Sequence, residues 1–267
     1  MGKTPKVCLT IAGLDPSGGA GIIADIKTFS AFGCFAAAVV ASLTFQNTTG
    51  VFGAVHQTAE TIRGQVQPIL DDYSVAAVKT GMLPTLEVIL ETARLIADNE
   101  LKNIVVDPVV RSTSGFDLID DQALRSLIKH LFPISDLITP NIPEAERIAE
   151  MTIGNEADIH VAARRMQESG AKNVLIKGGH LFETKDSREQ RIAKDFLFIG
   201  DSLTVFEGEY IETTATHGTG CTLAAAITAN LALGKDLVEA VETAKKFVTE
   251  AIRTAPGLGT GSSPINI

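Results

Sequence analysis

Six residues of this chain, Thr216-His217-Gly218-Thr219-Gly220-Cys221, set glycines on both sides of Thr219 directly ahead of a small-residue run, Thr222–Leu233. Such an arrangement exposes backbone N–H groups at a helix N-terminus, where an anion can bind. It suits a tightly packed helix cap equally well. Cys221 falls in the first turn of that helix, where the dipole lowers a thiol pKa and makes a base of it; a buried inert thiol is the alternative. Lys177 ends an apolar run, so its ammonium either meets phosphate oxygens or snorkels to water. Asp107, just before Pro108, is suited to holding Mg²⁺ or a proton, or to capping a turn. Asn141 and Glu144 open a helix, where both are good capping residues. The glycines of Gly13–Gly21 let backbone approach a ligand closely, and Asp15 within them either bonds that ligand or stabilises the turn. This loop lacks the Walker A spacing, because no GK[ST] follows, and its glycines do not give GxGxxG.

Positioning these groups requires a scaffold, and the chain supplies one by alternation. Short apolar runs at Val7–Ala12, Phe35–Leu43, Val75–Val78, Ile104–Val106, Leu137–Thr139 and Val174–Lys177 have the length of buried strands. Between them, Gly21–Phe32, Ala59–Leu70, Leu86–Asn99, Asp121–Leu131 and Ile159–Ser169 carry helical periodicity, with Gly170 at a C-cap position. Two further helices are expected at Thr219–Leu233 and Leu237–Thr254. Phe196–Ile199 and Leu203–Phe206, joined by Gly200-Asp201-Ser202, read as an antiparallel hairpin. Alternating strand and helix predicts an α/β fold, a mostly parallel sheet with helices on both faces. Ligands gather at the carboxyl ends of such strands. The polar and glycine-rich segments follow the strands one after another: 13–21, 79–82, 107–108, 139–144, 177–180 and 216–221. With no Pro/Gly/Ser-rich linker and no repeat, residues 1–267 read as a single domain. The charge-dense stretch Glu183–Lys194 reads as a solvated loop.

Composition narrows the partners. Lys and Arg number 23 against 32 Asp and Glu, a net charge of −9, which argues against nucleic-acid binding and against a polybasic membrane role. The longest nearly apolar stretches, Cys34–Leu43 and Leu223–Leu233, are too short to span a bilayer. The start of the chain carries no apolar leader pattern. Cys8, Cys34 and Cys221, odd in number and widely spaced, read as free thiols of a reducing compartment, so a cytoplasmic protein is expected. The five histidines have no HExxH or CxxC companion, and no GxSxG occurs, which speaks against a zinc site and a hydrolase elbow.

Taken together, TIAGLDPSGGAGIIADIKTF (10–29), FQNTTGV (45–51), KTGML (79–83), VVDPVV (105–110), ITPNIPEAE (138–146), LIKGGHL (175–181) and THGTGCTLAAAI (216–227) cover essentially the whole chain. In this order they resemble the hydroxymethylpyrimidine and phosphomethylpyrimidine kinases of thiamine biosynthesis, within the ribokinase-like superfamily. The resemblance implies a three-layer fold, a homodimer, and use of ATP with Mg²⁺. It implies phosphorylation of 4-amino-5-hydroxymethyl-2-methylpyrimidine and then of its monophosphate. Gly13 and Asp15 would border the pyrimidine and Met82 would pack on the ring. Gln46 would bond the polar edge, since an amide offers a donor beside an acceptor. Lys177 and Thr219 would meet the ATP phosphates, and Asp107 and Asn141 would lie beside them. Asp107 and Glu144 would serve Mg²⁺. The backbone of Gly218, Thr219, Gly220 and Cys221 would form the anion hole, with the Cys221 thiolate as base. Leu14, Ile23, Phe45 and Thr80 depart from the residues common in that family. Pyridoxal or pyridoxine kinases on the same scaffold are the alternative.

Overall fold

The structure is a computed structural model that describes residues 4–110, 117–179 and 192–267. Among them, nine strands form one sheet. In chain order they are β1 (Val7–Leu14), β2 (Phe35–Asn47), β3 (Gly50–His56), β4 (Val75–Thr80), β5 (Ile104–Val106), β6 (Leu137–Ile138), β7 (Asn173–Gly179), β8 (Ile192–Ile199) and β9 (Ser202–Glu209). Their order across the sheet is β3-β2-β1-β4-β5-β6-β7-β8-β9. The six from β2 to β7 pair in parallel, while β3, β8 and β9 add antiparallel edges.

Helices cover both faces, because the central strands are apolar on both. In β5, Ile104 and Val106 point into one core and Val105 into the other; in β7, Val174 and Ile176 oppose Leu175 in the same way. The first core is closed by α2 (Ala59–Asp72), α3 (Leu86–Asp98), α4 (Asp121–His130), α5 (Ile142–Ala149) and α6 (Glu156–Glu168). The second face is closed by α1 (Gly21–Ala31), α7 (Thr219–Ala232) and α8 (Leu237–Arg253). α7 lies between the sheet and both neighbouring helices, and Ala224, Ala225, Ala226 and Ala229 in it are wholly buried. Small side chains let three elements close around this helix at interior packing density.

The α/β expectation is met, with local corrections. β3 was not anticipated, and β2 runs on through Asn47, so Gln46 stands on a strand. The hairpin strands are longer than expected, and Ser202 belongs to β9 rather than to the turn. Ile192–Lys194, expected in a solvated loop, begin β8; the rest of that stretch, and His180, lie outside the described residues.

One buried contact ties the faces to the rim. Lys79 on β4 and Asp25 on α1 are both fully buried, with Lys79 Nζ 3.0 and 2.9 Å from the two carboxylate oxygens. The Thr10 hydroxyl donates to Asp25 Oδ2 at 2.6 Å. Burial opposes the charge of Lys79, yet the adjacent Asp25 carboxylate outweighs it and raises the lysine pKa. Asp25→Ala leaves that ammonium buried and unpaired. It is expected to cost about 3–5 kcal/mol, much of it regained in Asp25→Ala/Lys79→Met. Urea unfolding reads both, and an unchanged midpoint in the single variant would show that the pair is not ionised.

Candidate active site

β1 has β2 on one side and β4 on the other, so the chain's direction across the sheet reverses there, the point where α/β folds open a ligand crevice. A cavity of about 490 Å³ opens at the carboxyl ends of the strands at this point. It gathers every residue singled out from the sequence: Gly13, Asp15, Gln46, Met82, Asp107, Asn141, Glu144, Lys177 and Gly218 through Cys221.

On one side, β1 runs into the glycine loop. Met82 packs its sulfur against Gly13, at 3.0 Å from where a Cβ there would stand. Gln46 faces in from β2, its Oε1 3.2 Å from Thr44 Oγ1. Asp15, only 3% exposed, is engaged on all sides. It accepts from the Ser17 N–H and hydroxyl at 2.8 and 2.9 Å and from the Ala20 N–H at 2.9 Å, and it meets His217 Nε2 at 2.7 Å. Burial opposes its charge, but the His217 and Ser17 bonds outweigh it and lower its pKa. Of its two sequence readings, the geometry realises turn stabilisation, and extends it into a tie to the loop before α7.

On the other side lies the α7 N-terminus. Gly218 caps it in the left-handed region, φ 87°, where a Cβ would overlap the Gly19 carbonyl. Lys177 leans over the turn: its Nζ lies 3.2 Å from where a Cβ on Gly220 would be. That ammonium is 3.0 Å from Asp107 Oδ1 and 4.0 Å from Glu144 Oε2. Thr139 also donates to Asp107 Oδ1 at 2.9 Å. Burial opposes the Asp107 charge, but Lys177 and Lys79 lower its pKa. Asn141 and Glu144 do form the reciprocal cap of α5, at 2.9 and 2.8 Å, while also facing the cavity. Burial pushes Glu144 up to about 7 against the pull of Lys177.

Cys221 departs from expectation. Its sulfur accepts from the Gly21 N–H, but burial pushes the thiol up to about 11, with Asp107 and Asp25 adding to the rise against Lys79. The cause is desolvation of the sulfur together with two nearby carboxylates, although the residue as a whole is half-buried. Iodoacetamide modification of Cys221, followed by peptide mass spectrometry, is expected to rise with pH toward a midpoint near 11. A midpoint below 8 would restore the low-pKa thiolate.

Two groups were missed. Lys79 stands in the sequence reading only as the first residue of the polar segment 79–82 and of KTGML, although a lysine inside the apolar run VAAVKT is itself an unusual signal. His217 was seen as part of a loop without a role. The far end of the cavity, between β8, β9 and α8, is a slot with Tyr210, Ile211, Val248 and Ile252 on its walls. Lys245 and Asp195 pair there at 2.6 Å. Among the described residues no cluster of three His, Cys, Asp or Glu side chains suits a metal, and no helix is long and apolar enough to cross a membrane.

Comparison with known proteins gives this geometry its context. A family model described as phosphomethylpyrimidine kinase matches residues 15–266. The hydroxymethylpyrimidine/phosphomethylpyrimidine kinase of Bacillus subtilis (strain 168) is 43% identical over 258 residues, spanning 97% of this chain and 93% of its own. The crystal structure of a phosphomethylpyrimidine kinase from Clostridium difficile 630 matches with a TM-score of 0.80 at 41% identity, covering 92% of this chain and 99% of that one. A pyridoxal kinase from Staphylococcus aureus, in complex with AMP-PCP and pyridoxal, reaches a TM-score of 0.89 at 29% identity, covering 99% and 94%. The three-layer fold is thus ribokinase-like.

Proposed function

The chain belongs to the phosphomethylpyrimidine kinase family, and from that premise we propose that its cavity transfers the γ-phosphoryl group of ATP to 4-amino-5-hydroxymethyl-2-methylpyrimidine, and then to the monophosphate. The carrying observation is the continuity of one cavity, from Gly13, Gln46 and Met82, past Lys177 and Gly218–Cys221, into the slot beside α8. A flat heteroaromatic, a triphosphate and a nucleoside fit along it in that order.

The pyrimidine packs against Met82 and the Gly13 backbone, and the Gln46 amide meets its amino edge. Its hydroxymethyl oxygen then points at the turn before α7. That oxygen forms a bond to the γ-phosphorus, the bond from the γ-phosphorus to the bridging oxygen breaks, ADP leaves, and the hydroxyl proton departs. Charge on the moving group is met by the Lys177 ammonium and the backbone N–H groups of Gly218–Cys221. A resting thiol pKa near 11 leaves little Cys221 thiolate at neutral pH, so most of the acceleration comes from positioning and charge neutralisation. Cys221 accepts the hydroxyl proton only in its minor thiolate form, since the resting thiol already carries a proton of its own. Asp107 and Glu144 form a donor set suited to Mg²⁺, which is commonly bound through one or two carboxylates plus substrate phosphates. The ion would supply further neutralisation of phosphate charge.

Other features of the reading follow the fold. Residues 1–267 act as one domain, supported by a sheet that takes strands from both halves of the sequence. We infer a homodimer built on the β2–β3 edge, where Leu43, Phe45, Phe52 and Val55 are 41, 55, 68 and 49% exposed. Patches of exposed apolar residues mark interaction surfaces.

Coupled assay of ADP release, with the pyrimidine and with pyridoxal, tests the function. Pyrimidine turnover should dominate, and Lys177→Ala should lower it by about 10²–10³-fold while the circular dichroism stays native. Turnover of pyridoxal alone would replace the reading. Sedimentation velocity should give twice the chain mass, falling to monomer in Phe45→Glu/Phe52→Glu; a monomeric wild type would refute the dimer.

A further inference from the structure

The segment after α8 touches both halves of the site without lining the cavity. At one end it grips the tip of the β2–β3 hairpin. Ser262 N–H donates to the Thr48 carbonyl at 2.8 Å and Gly261 N–H reaches Thr48 Oγ1 at 3.4 Å. A Cβ at Gly261 would overlap that carbonyl, so contact this close depends on glycine. Thr48 lies two residues beyond Gln46. At the other end the segment pairs with the turn before α7. His217 N–H donates to the Ser263 carbonyl at 3.2 Å, Ile265 N–H donates to the His217 carbonyl at 3.4 Å, and His217 and Pro264 form a parallel bridge. The Ser263 hydroxyl accepts from Leu258 N–H at 2.9 Å, folding the segment on itself. Asn266 N–H donates to the Ala251 carbonyl of α8 at 2.9 Å. His217 is 5% exposed, its ring is held by Asp15, and the next residue begins the anion hole.

We propose that residues 257–265 form a positioning strap, anchored on His217, that sets the distance between the Gln46 side and the anion-hole side of the cavity. The inference rests on the phosphoryl-transfer reading above. β3 ends the sheet, so within one protomer the hairpin tip has β2 on one side only and is tied at Thr48. The strap supplies that tie, joining Thr48 to the turn before α7. The anion-hole side has a second tie, Asp15 to His217, and Thr44 ties the base of the Gln46 strand to the Leu14 carbonyl, whereas Thr48 beyond Gln46 is bonded by the strap. Releasing the strap should therefore displace the acceptor substrate and spare the nucleotide. Displacement of about 1 Å is enough to cost about 10²-fold in rate.

Gly261→Val tests this by forcing the strap off Thr48, and Gly261→Ala repeats the test with a smaller side chain. Asn266→Ala, just outside the strap, keeps every strap contact and serves as control. In Gly261→Val, kcat/KM for the pyrimidine should fall about 10²-fold, while ADP affinity by calorimetry and the unfolding midpoint stay near wild type. Asn266→Ala should match wild type. Unchanged pyrimidine kinetics in folded Gly261→Val would overturn the strap. So would a parallel fall in ADP affinity and unfolding midpoint, or failure of both Gly261 variants to fold, since either makes the segment a general fold element. If wild type itself turns over no pyrimidine, the functional reading fails separately. Amide hydrogen exchange at residues 45–49 then decides the strap: faster exchange in Gly261→Val supports it, and equal exchange overturns it.

Discussion

Asp15 and His217 stand 202 positions apart in sequence, and the 2.7 Å contact between their side chains joins the loop after the first strand to the turn before α7. Both are buried. The Asp15 carboxylate also gathers two backbone N–H groups and a hydroxyl of its own loop, which fixes the glycine backbone on that wall of the cavity. His217 carries the strap on its backbone and opens onto Gly218. Without this junction the acceptor loop, the anion hole and the strap would each be a surface loop with its own freedom. With it they are bonded to one another, and orientation of two substrates is most of what phosphoryl transfer asks of a protein.

Charge in this molecule is organised locally. A net charge of −9 offers no broad attraction for ATP. The site instead holds two cations over the reacting region: Lys177, paired with Asp107 and near Glu144, and Lys79, paired with Asp25 below. Each is kept ionised by a carboxylate, and each carboxylate raises the cost of a further negative charge nearby. The Cys221 thiol meets that cost, which is why a helix N-terminus does not make it a thiolate in the resting protein. A phosphate arriving beside Lys177 meets a cation whose counter-ions are already fixed, so little reorganisation is needed.

Scaffold and substrate choice are separable here. The pyridoxal kinase from S. aureus matches the backbone with the higher TM-score, while the C. difficile phosphomethylpyrimidine kinase shares more of the sequence. Both substrates are flat rings with a hydroxymethyl group, so the strand order and anion hole serve either. On the proposed reading, discrimination would fall to a few side chains on one wall, Gln46 and Met82 among them, where an amide bonding a ring edge favours the partner that returns both its hydrogen bonds.

The alternation of strands and helices, the glycine and acidic residues after the strands, and the part of the cavity wall that those residues form were legible in the sequence, because periodicity and turn chemistry are local properties; Lys79, His217 and the slot beside α8 were not. β3 was not: GVFGAVH is an edge strand with glycines and with exposed apolar residues, so it shows no clear alternation. Nor were the pairings that decide the chemistry. Whether Asn141 and Glu144 cap a helix or face the site was an open choice in sequence, and in space they do both. Lys79 with Asp25, Asp15 with His217 and Thr48 with the strap join positions 54, 202 and 213 apart. Such contacts depend on the order of strands across the sheet, which no local pattern carries. The thiol of Cys221 shows the same division: its place in the first turn of a helix was determined by sequence, but its proton affinity was decided by burial and by carboxylates that only the folded sheet brings near.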